Sequence, residues 1–142
     1  MAFTGINIYE TRPYISKLDP DKNNPTIFHI GVLDPILRAH IEDQAAVFEK
    51  SSNNPNDPAR ATINQNMVYI NTVKFGLKGM DNFIDPQTKK PVELDTISVS
   101  INGKNYTAVS ETIIKLLGKK LINELAGVIL SENELSEEEA KN

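Results

Sequence analysis

Apolar positions along this chain change period several times, and each change marks an element. In TISVSINGKNYTAVS (residues 96–110), Ile97, Val99 and Ile101 alternate with polar residues, Asn102-Gly103 follows, and Tyr106 and Ala108 resume the alternation. Asn-Gly between alternating runs predicts a hairpin closed by a two-residue type I′ turn. That register sets Val99 opposite Tyr106 and Ile97 opposite Ala108, on one face. Upstream, residues 12–18 (RPYISKL) and 26–33 (TIFHIGVL) read as two strands joined by the polar turn DPDKNNP. Phe28, Ile30 and Val32 share a face of the second. FTGINIYE before them reads as a further strand or an extended arm.

Helical spacing takes over at residue 34. Four Asp-Pro pairs punctuate the chain, at 19–20, 34–35, 57–58 and 85–86. Aspartate caps a helix start, and proline suits the first helical position because no amide proton is needed there. Asp34-Pro35 is expected to open a helix over 34–50 with a stripe at Leu37, Ile41, Ala45 and Phe48. Asp57-Pro58 is expected to open a second, with Ile63, Met67, Ile70 and Val73 at helical spacing, although its end, MVYINTVKF, also suits a strand. The other two pairs read as turns. SSNNPND (residues 51–57) is a loop by composition. Ser110 is expected to cap a helix through ETIIKLL that Gly118 kinks or ends. KKLINELAGVIL then resumes with Leu121, Leu125 and Val128 on one side and Ile122 and Ile129 beside them. A helix apolar around so much of its girth is either central or in contact with another subunit.

Between the two halves lies VKFGLKGMDNFID (residues 73–85). A Gly-x-x-Gly loop carrying a lysine resembles the nucleotide-clamping loop of KH domains. MDNFIDPQTKKP is too short for the second helix that such a domain needs. The pattern therefore reads as mechanical. Gly76 lets the helix end in a left-handed residue, and Gly79 allows a second turn. Phe75, Leu77, Met80 and Phe83 pin the segment to the core, and with Leu135 they are the candidate interaction residues. Gly76, Gly79, Asn102 and Gly103 are the candidate structural turn positions.

Composition narrows the function classes. The 142 residues carry a net charge of −4, and the last twelve, SENELSEEEAKN, account for all of it. The remaining body is neutral and offers no basic field to a phosphate backbone, so nucleic-acid binding is not expected. There is no cysteine, hence no disulfide framework and no thiolate metal site. No apolar stretch of ~18 residues exists to span a membrane. MAFTGINIYETRPYISK lacks a basic region followed by an apolar run, so no secretory signal is expected. The sequence predicts an α+β fold, antiparallel hairpins packed against about three helices. It forms one domain over residues 1–130, with 1–10 as a candidate arm and 131–142 as an acidic tail, disordered or a short solvated helix.

Candidate chemistry is sparse. His29 and His40 lack any metal-ligand spacing and read as ordinary imidazoles. Asp19 and Asp21 in DPDKNN resemble half a calcium loop without its glycine and terminal glutamate, and read as a solvated turn. Ser16, Ser98, Ser100 and Ser110 stand in no nucleophile-elbow turn. No catalytic residue, cofactor site, metal site or small-molecule substrate is therefore assigned.

Three segments together carry a resemblance: YISKLDPDKNNPTIFHIGVLD, VKFGLKGMDNFID and LINELAGVILSENELSEEEAKN. Their order resembles small proteins encoded among the head and tail genes of tailed bacteriophages. That group commonly has a Phe-Gly-Leu-x-Gly-aromatic-x-Asn-Phe-like segment and a Leu-Ser-Glu-Glu-Glu-x-Lys-Asn ending. Met80 stands here where the group has an aromatic residue. The resemblance implies a non-enzymatic virion structural or assembly protein of the capsid, neck or tail. Its partners would be other phage structural proteins in symmetric multiple copies, and its location the virion, with host cytoplasm during assembly. Two alternatives stay open: a tail-assembly chaperone absent from the mature particle, and a phage-encoded inhibitor of a host protein.

Overall fold

The computed structural model describes residues 2–49, 53–56 and 58–141, with side chains described except at 49 and 135–141. It has the mixed α+β architecture expected, with antiparallel sheets of two or three strands and four helices. The central sheet has the order β1 (Thr11–Tyr14), β2 (Ile27–Gly31), β5 (Leu77–Asp81). β1 and β2 pair antiparallel with Tyr14 opposite Phe28, as the strand–turn–strand reading requires, though β1 ends at residue 14. Asp19 holds the intervening turn by accepting from the backbone N–H groups of Asp21 at 2.9 Å and Thr26 at 2.8 Å. β2 ends at Gly31, so Leu33 rather than Val32 is the next fully buried side chain.

Asp34 caps α1 (Pro35–Gln44), its carboxylate accepting from Leu37 N at 2.7 Å with proline in the first turn. Leu37, Ile41 and Ala45 are buried as the stripe predicts. Phe48 is not. The helix stops at Gln44, and residues 46–49 leave it as strand β3 (Ala46–Glu49), paired with β4 (Arg60–Ile63). The helix expected from Asp57-Pro58 is likewise corrected. Asp57 lies outside the described residues, and α2 (Gln65–Gly76) begins later, capped by Asn64, whose Oδ1 accepts from Met67 N. Its buried face is Val68, Thr72, Val73, Phe75 and Gly76, so of the expected stripe only Val73 is deeply inside. The β3–β4 pairing takes four residues from each proposed helix, because AVFE and RATI pair across the polar loop.

The GLKG segment corrects the sequence reading more sharply. Gly76 is the last residue of α2 and does not adopt positive φ; α2 runs straight into β5 through Leu77 at φ −83° and ψ 115°. Gly79 makes no turn but sits inside β5, opposite His29. Neither glycine is in a loop, so the KH-like arrangement does not exist. Gly76 has a packing reason instead. A Cβ there would lie 2.7 Å from Ile129 Cγ2 and 2.8 Å from Cδ1, and Ile129 is fully buried. Gly76→Ala is therefore expected to destabilise by about 1–2 kcal/mol, overpacking exceeding the small helix-propensity gain at a helix end. Urea denaturation checks this, and in an Ile129→Ala background the same substitution should be harmless.

The second hairpin, β6 (Thr96–Ile101) and β7 (Lys104–Val109), has the expected register, Val99 opposite Tyr106 and Ile97 opposite Ala108. Asn102 and Gly103 have φ of 53° and 81°, the left-handed pair that type I′ demands. Tyr106 meets Phe75 edge-on at 6.4 Å, which ties this hairpin to α2. Ser110 stands at the start of α3 (Glu111–Leu117), but its side chain makes no capping bond and its hydroxyl is buried without a partner, contrary to the capping expectation. Gly118, at φ 78°, ends α3.

α4 (Lys119–Lys141) is the central mast, with Ile122, Leu125, Ala126 and Ile129 buried. It does not stop at the expected boundary of 131. Asn133 is buried, donating to Leu33 O at 2.8 Å and accepting from Leu33 N at 3.0 Å, and Glu132 pairs with Arg12 at 2.8 Å. The tail therefore begins as packed helix.

Candidate interaction surface

What this fold leaves outside is more informative than what it encloses. Ala45 O accepts from Asn64 N at 2.8 Å and closes the base of the β3–β4 hairpin. Ala46 then faces Ile63, Val47 faces Thr62 and Phe48 faces Ala61. Side chains of directly paired residues share a face. One face thus carries Ala46, Phe48, Ala61 and Ile63, and the other Val47 and Thr62. Every described side chain of this hairpin is exposed, Phe48 at 74 % and Ile63 at 59 %. A two-stranded hairpin with no packed face is marginal in water. Among the described residues its strands pair only with each other, so there both outer edges keep backbone groups that another chain can use. Met67, on the first turn of α2, is a further exposed apolar side chain.

The N-terminal residues form a second exposed element. Residues 2–7 have no regular structure and join no sheet, so FTGINIYE does not form the strand that is one of its two readings. Phe3 and Tyr9 are 85 % and 87 % exposed.

A groove of about 350 Å³ lies where the 15–26 turn meets the loop after β5, floored by Leu18, Phe28, Phe83, Ile84 and Leu121. Asp19 and Asp21 are at its rim, but both carboxylates are committed to turn N–H groups, Asp21 Oδ1 to Asn23 and Asn24. Behind it, Glu124 on α4 accepts from Ser16 Oγ at 2.6 Å, Lys17 N at 2.9 Å and the Tyr14 hydroxyl. Burial alone would raise the Glu124 pKa, but bonds from Ser16, Tyr14 and Lys17 outweigh it and hold the carboxyl below its usual range. Burial, then the neighbouring carboxylate, push the Tyr14 hydroxyl up to about 12. A carboxylate with a lowered pKa and three donors is a poor proton acceptor; this cluster fastens α4 to the end of β1.

The histidines are not gathered into such a cluster. His29 Nε2 lies 2.7 Å from Asp81 Oδ2 across β2 and β5, and His40 lies on α1. Among the described residues, no group of three or more His, Cys, Asp or Glu could hold a metal ion. Among them, too, no helix is long and apolar enough to cross a membrane.

The candidate interaction residues separate. Phe75, Leu77 and Met80 are core, and the folded chain does not offer them to a partner. Phe83 is half-buried, its ring 6.2 Å from that of Phe28. The Leu135 side chain lies outside the described residues. Phe48 and Ile63, the strongest exposed apolar pair, were assigned to helix stripes by spacing. The available signal was two four-residue runs rich in β-branched and aromatic residues, on either side of a Ser/Asn/Pro/Asp loop.

No protein-family model, no curated protein and no solved structure matches this chain at a significant level.

Proposed function

We propose that this protein is a non-enzymatic structural or assembly protein of a tailed-bacteriophage particle, acting through protein–protein contacts in multiple symmetric copies. The observation that carries the contact-making part is the β3–β4 hairpin, an apolar ribbon exposed on both faces with open edges. Ribbons of this kind gain backbone pairing and apolar burial when a neighbour supplies the missing surface. The phage assignment rests on the resemblance of the three segments described above.

The deciding experiment is mass spectrometry of purified particles from the source, with copy number per particle. Many copies support the proposal. Absence from particles, with presence in infected-cell lysate, overturns the virion reading and favours the tail-assembly chaperone or the host-directed inhibitor. A variant sharpens it: Phe48→Ser with Ile63→Thr is expected to change stability by less than ~0.5 kcal/mol, since neither side chain is packed. The same variant should lose incorporation into particles, read by the same mass spectrometry after complementation.

A further inference from the structure

We propose that copies of this chain associate head to tail, the C-terminal segment 135–142 of one copy docking in a groove at the start of α4 in the next. The groove, about 430 Å³, is formed where α2 passes the junction of α3 and α4. Ile70, Ile114 and Ile122 make its apolar floor, and Lys115 and Lys119 stand exposed at its rim. Among the described residues no acidic residue lines it, and neither lysine has a carboxylate partner within ion-pair distance. The complementary sequence is in the same chain. Beyond the packed residues Glu132 and Asn133, LSEEEAKN (residues 135–142) carries three glutamates, one lysine and Leu135, an acidic segment with an apolar residue for an apolar, lysine-rimmed groove.

Intramolecular docking is excluded by length. The segment ends the helix whose first turn borders the groove, and 23 helical residues hold the two ends roughly 34 Å apart. The occupant must therefore come from another copy. The charges on α4 point the same way. Lys119 and Lys120 open it and Glu137, Glu138 and Glu139 lie near its end, the reverse of what the helix dipole favours at each terminus. Bringing the acidic end of one helix to the basic start of another relieves both conflicts. Such a contact uses two different patches, so it propagates into a ring or a filament. The β3–β4 hairpin takes no part, so this contact is independent of the particle-building reading.

A charge exchange tests it by sedimentation velocity at low ionic strength. Wild-type chain is expected to show a sedimentation coefficient that rises with concentration and falls back on adding molar salt, which screens the lysine–glutamate attraction. Two variants, Lys115→Glu/Lys119→Glu and Glu137→Lys/Glu138→Lys/Glu139→Lys, should each stay monomeric, because each then sets like charges against one another. An equimolar mixture of the two should associate again, since each groove meets a tail of opposite sign. Circular dichroism confirms that both variants are folded before mixing. A wild-type chain that stays monomeric throughout, variants that associate as the wild type does, or a mixture that stays monomeric would each overturn the proposal. None of these results bears on whether the protein is found in particles.

Discussion

Asn133→Leu is expected to destabilise the fold by on the order of 2–4 kcal/mol, although the substitution adds apolar surface to a buried site. The Asn133 amide completes both hydrogen bonds of Leu33, accepting from its N–H and donating to its C=O. Leu33 lies just beyond the end of β2, where no neighbouring strand is paired to take those groups. Leucine would leave a donor and an acceptor buried without partners, and each such group costs about 1–3 kcal/mol. Urea denaturation of the variant gives the number. A change below ~0.5 kcal/mol would mean that water reaches Leu33, and that this bond pair does not hold α4 against the sheet. Loss of the site would free the last turns of α4, so faster amide exchange beyond residue 130 is the expected local signature.

The second large effect belongs to Glu124. Glu124→Ala removes the acceptor shared by Ser16 Oγ, Lys17 N and the Tyr14 hydroxyl, and is expected to cost on the order of 2–3 kcal/mol, since hydrogen bonds to a charged group are the stronger kind. The pH dependence separates this role from mere packing. The Glu124 pKa is lowered by folding, so its contribution is present above the unfolded carboxyl value of ~4.3 and is lost as pH falls through the folded value. Tyr14 runs the other way. Its folded pKa of about 12 exceeds the ordinary 10.0, so that contribution is complete below pH 10 and disappears as pH rises toward 12. Glu124→Gln keeps the shape and removes the charge, and its stability difference from wild type should shrink on acidification. A difference that stays constant from neutral to acid pH would rule out the carboxylate as the source.

Both sites share a logic. α4 enters the fold last in sequence and is fastened along its length to the first elements, through Glu124 to the end of β1, Glu132 to Arg12 and Asn133 to Leu33. Such fastening closes a loop of about a hundred residues, and nothing local announces it. Glu124 and Asn133 look like ordinary solvent-facing residues in a helical run. Their partners are identifiable only once the topology has brought them alongside.

Elements written in local chemistry were legible without the fold. Asn102-Gly103 admits the left-handed pair that a type I′ turn needs, so the β6–β7 register followed from the turn alone. Asp34-Pro35 both caps and starts α1, and Gly118 takes a φ that few other residues tolerate. Leu37, Ile41 and Ala45 are at helical spacing and are buried as one face. Elements decided by competition between neighbours were not legible. AVFE and RATI satisfy helical spacing as well as strand pairing, and the choice fell to the antiparallel pairing across their loop. Gly76 and Gly79 suit a turn by composition, yet one is small because Ile129 packs on it and the other sits opposite His29 in a strand. The exposed surface follows from the same cause. Hydrophobic spacing marks residues able to be buried, but only the packed arrangement decides which of them find a place inside. Phe75, Leu77 and Met80 did, while Phe48 and Ile63 were left exposed.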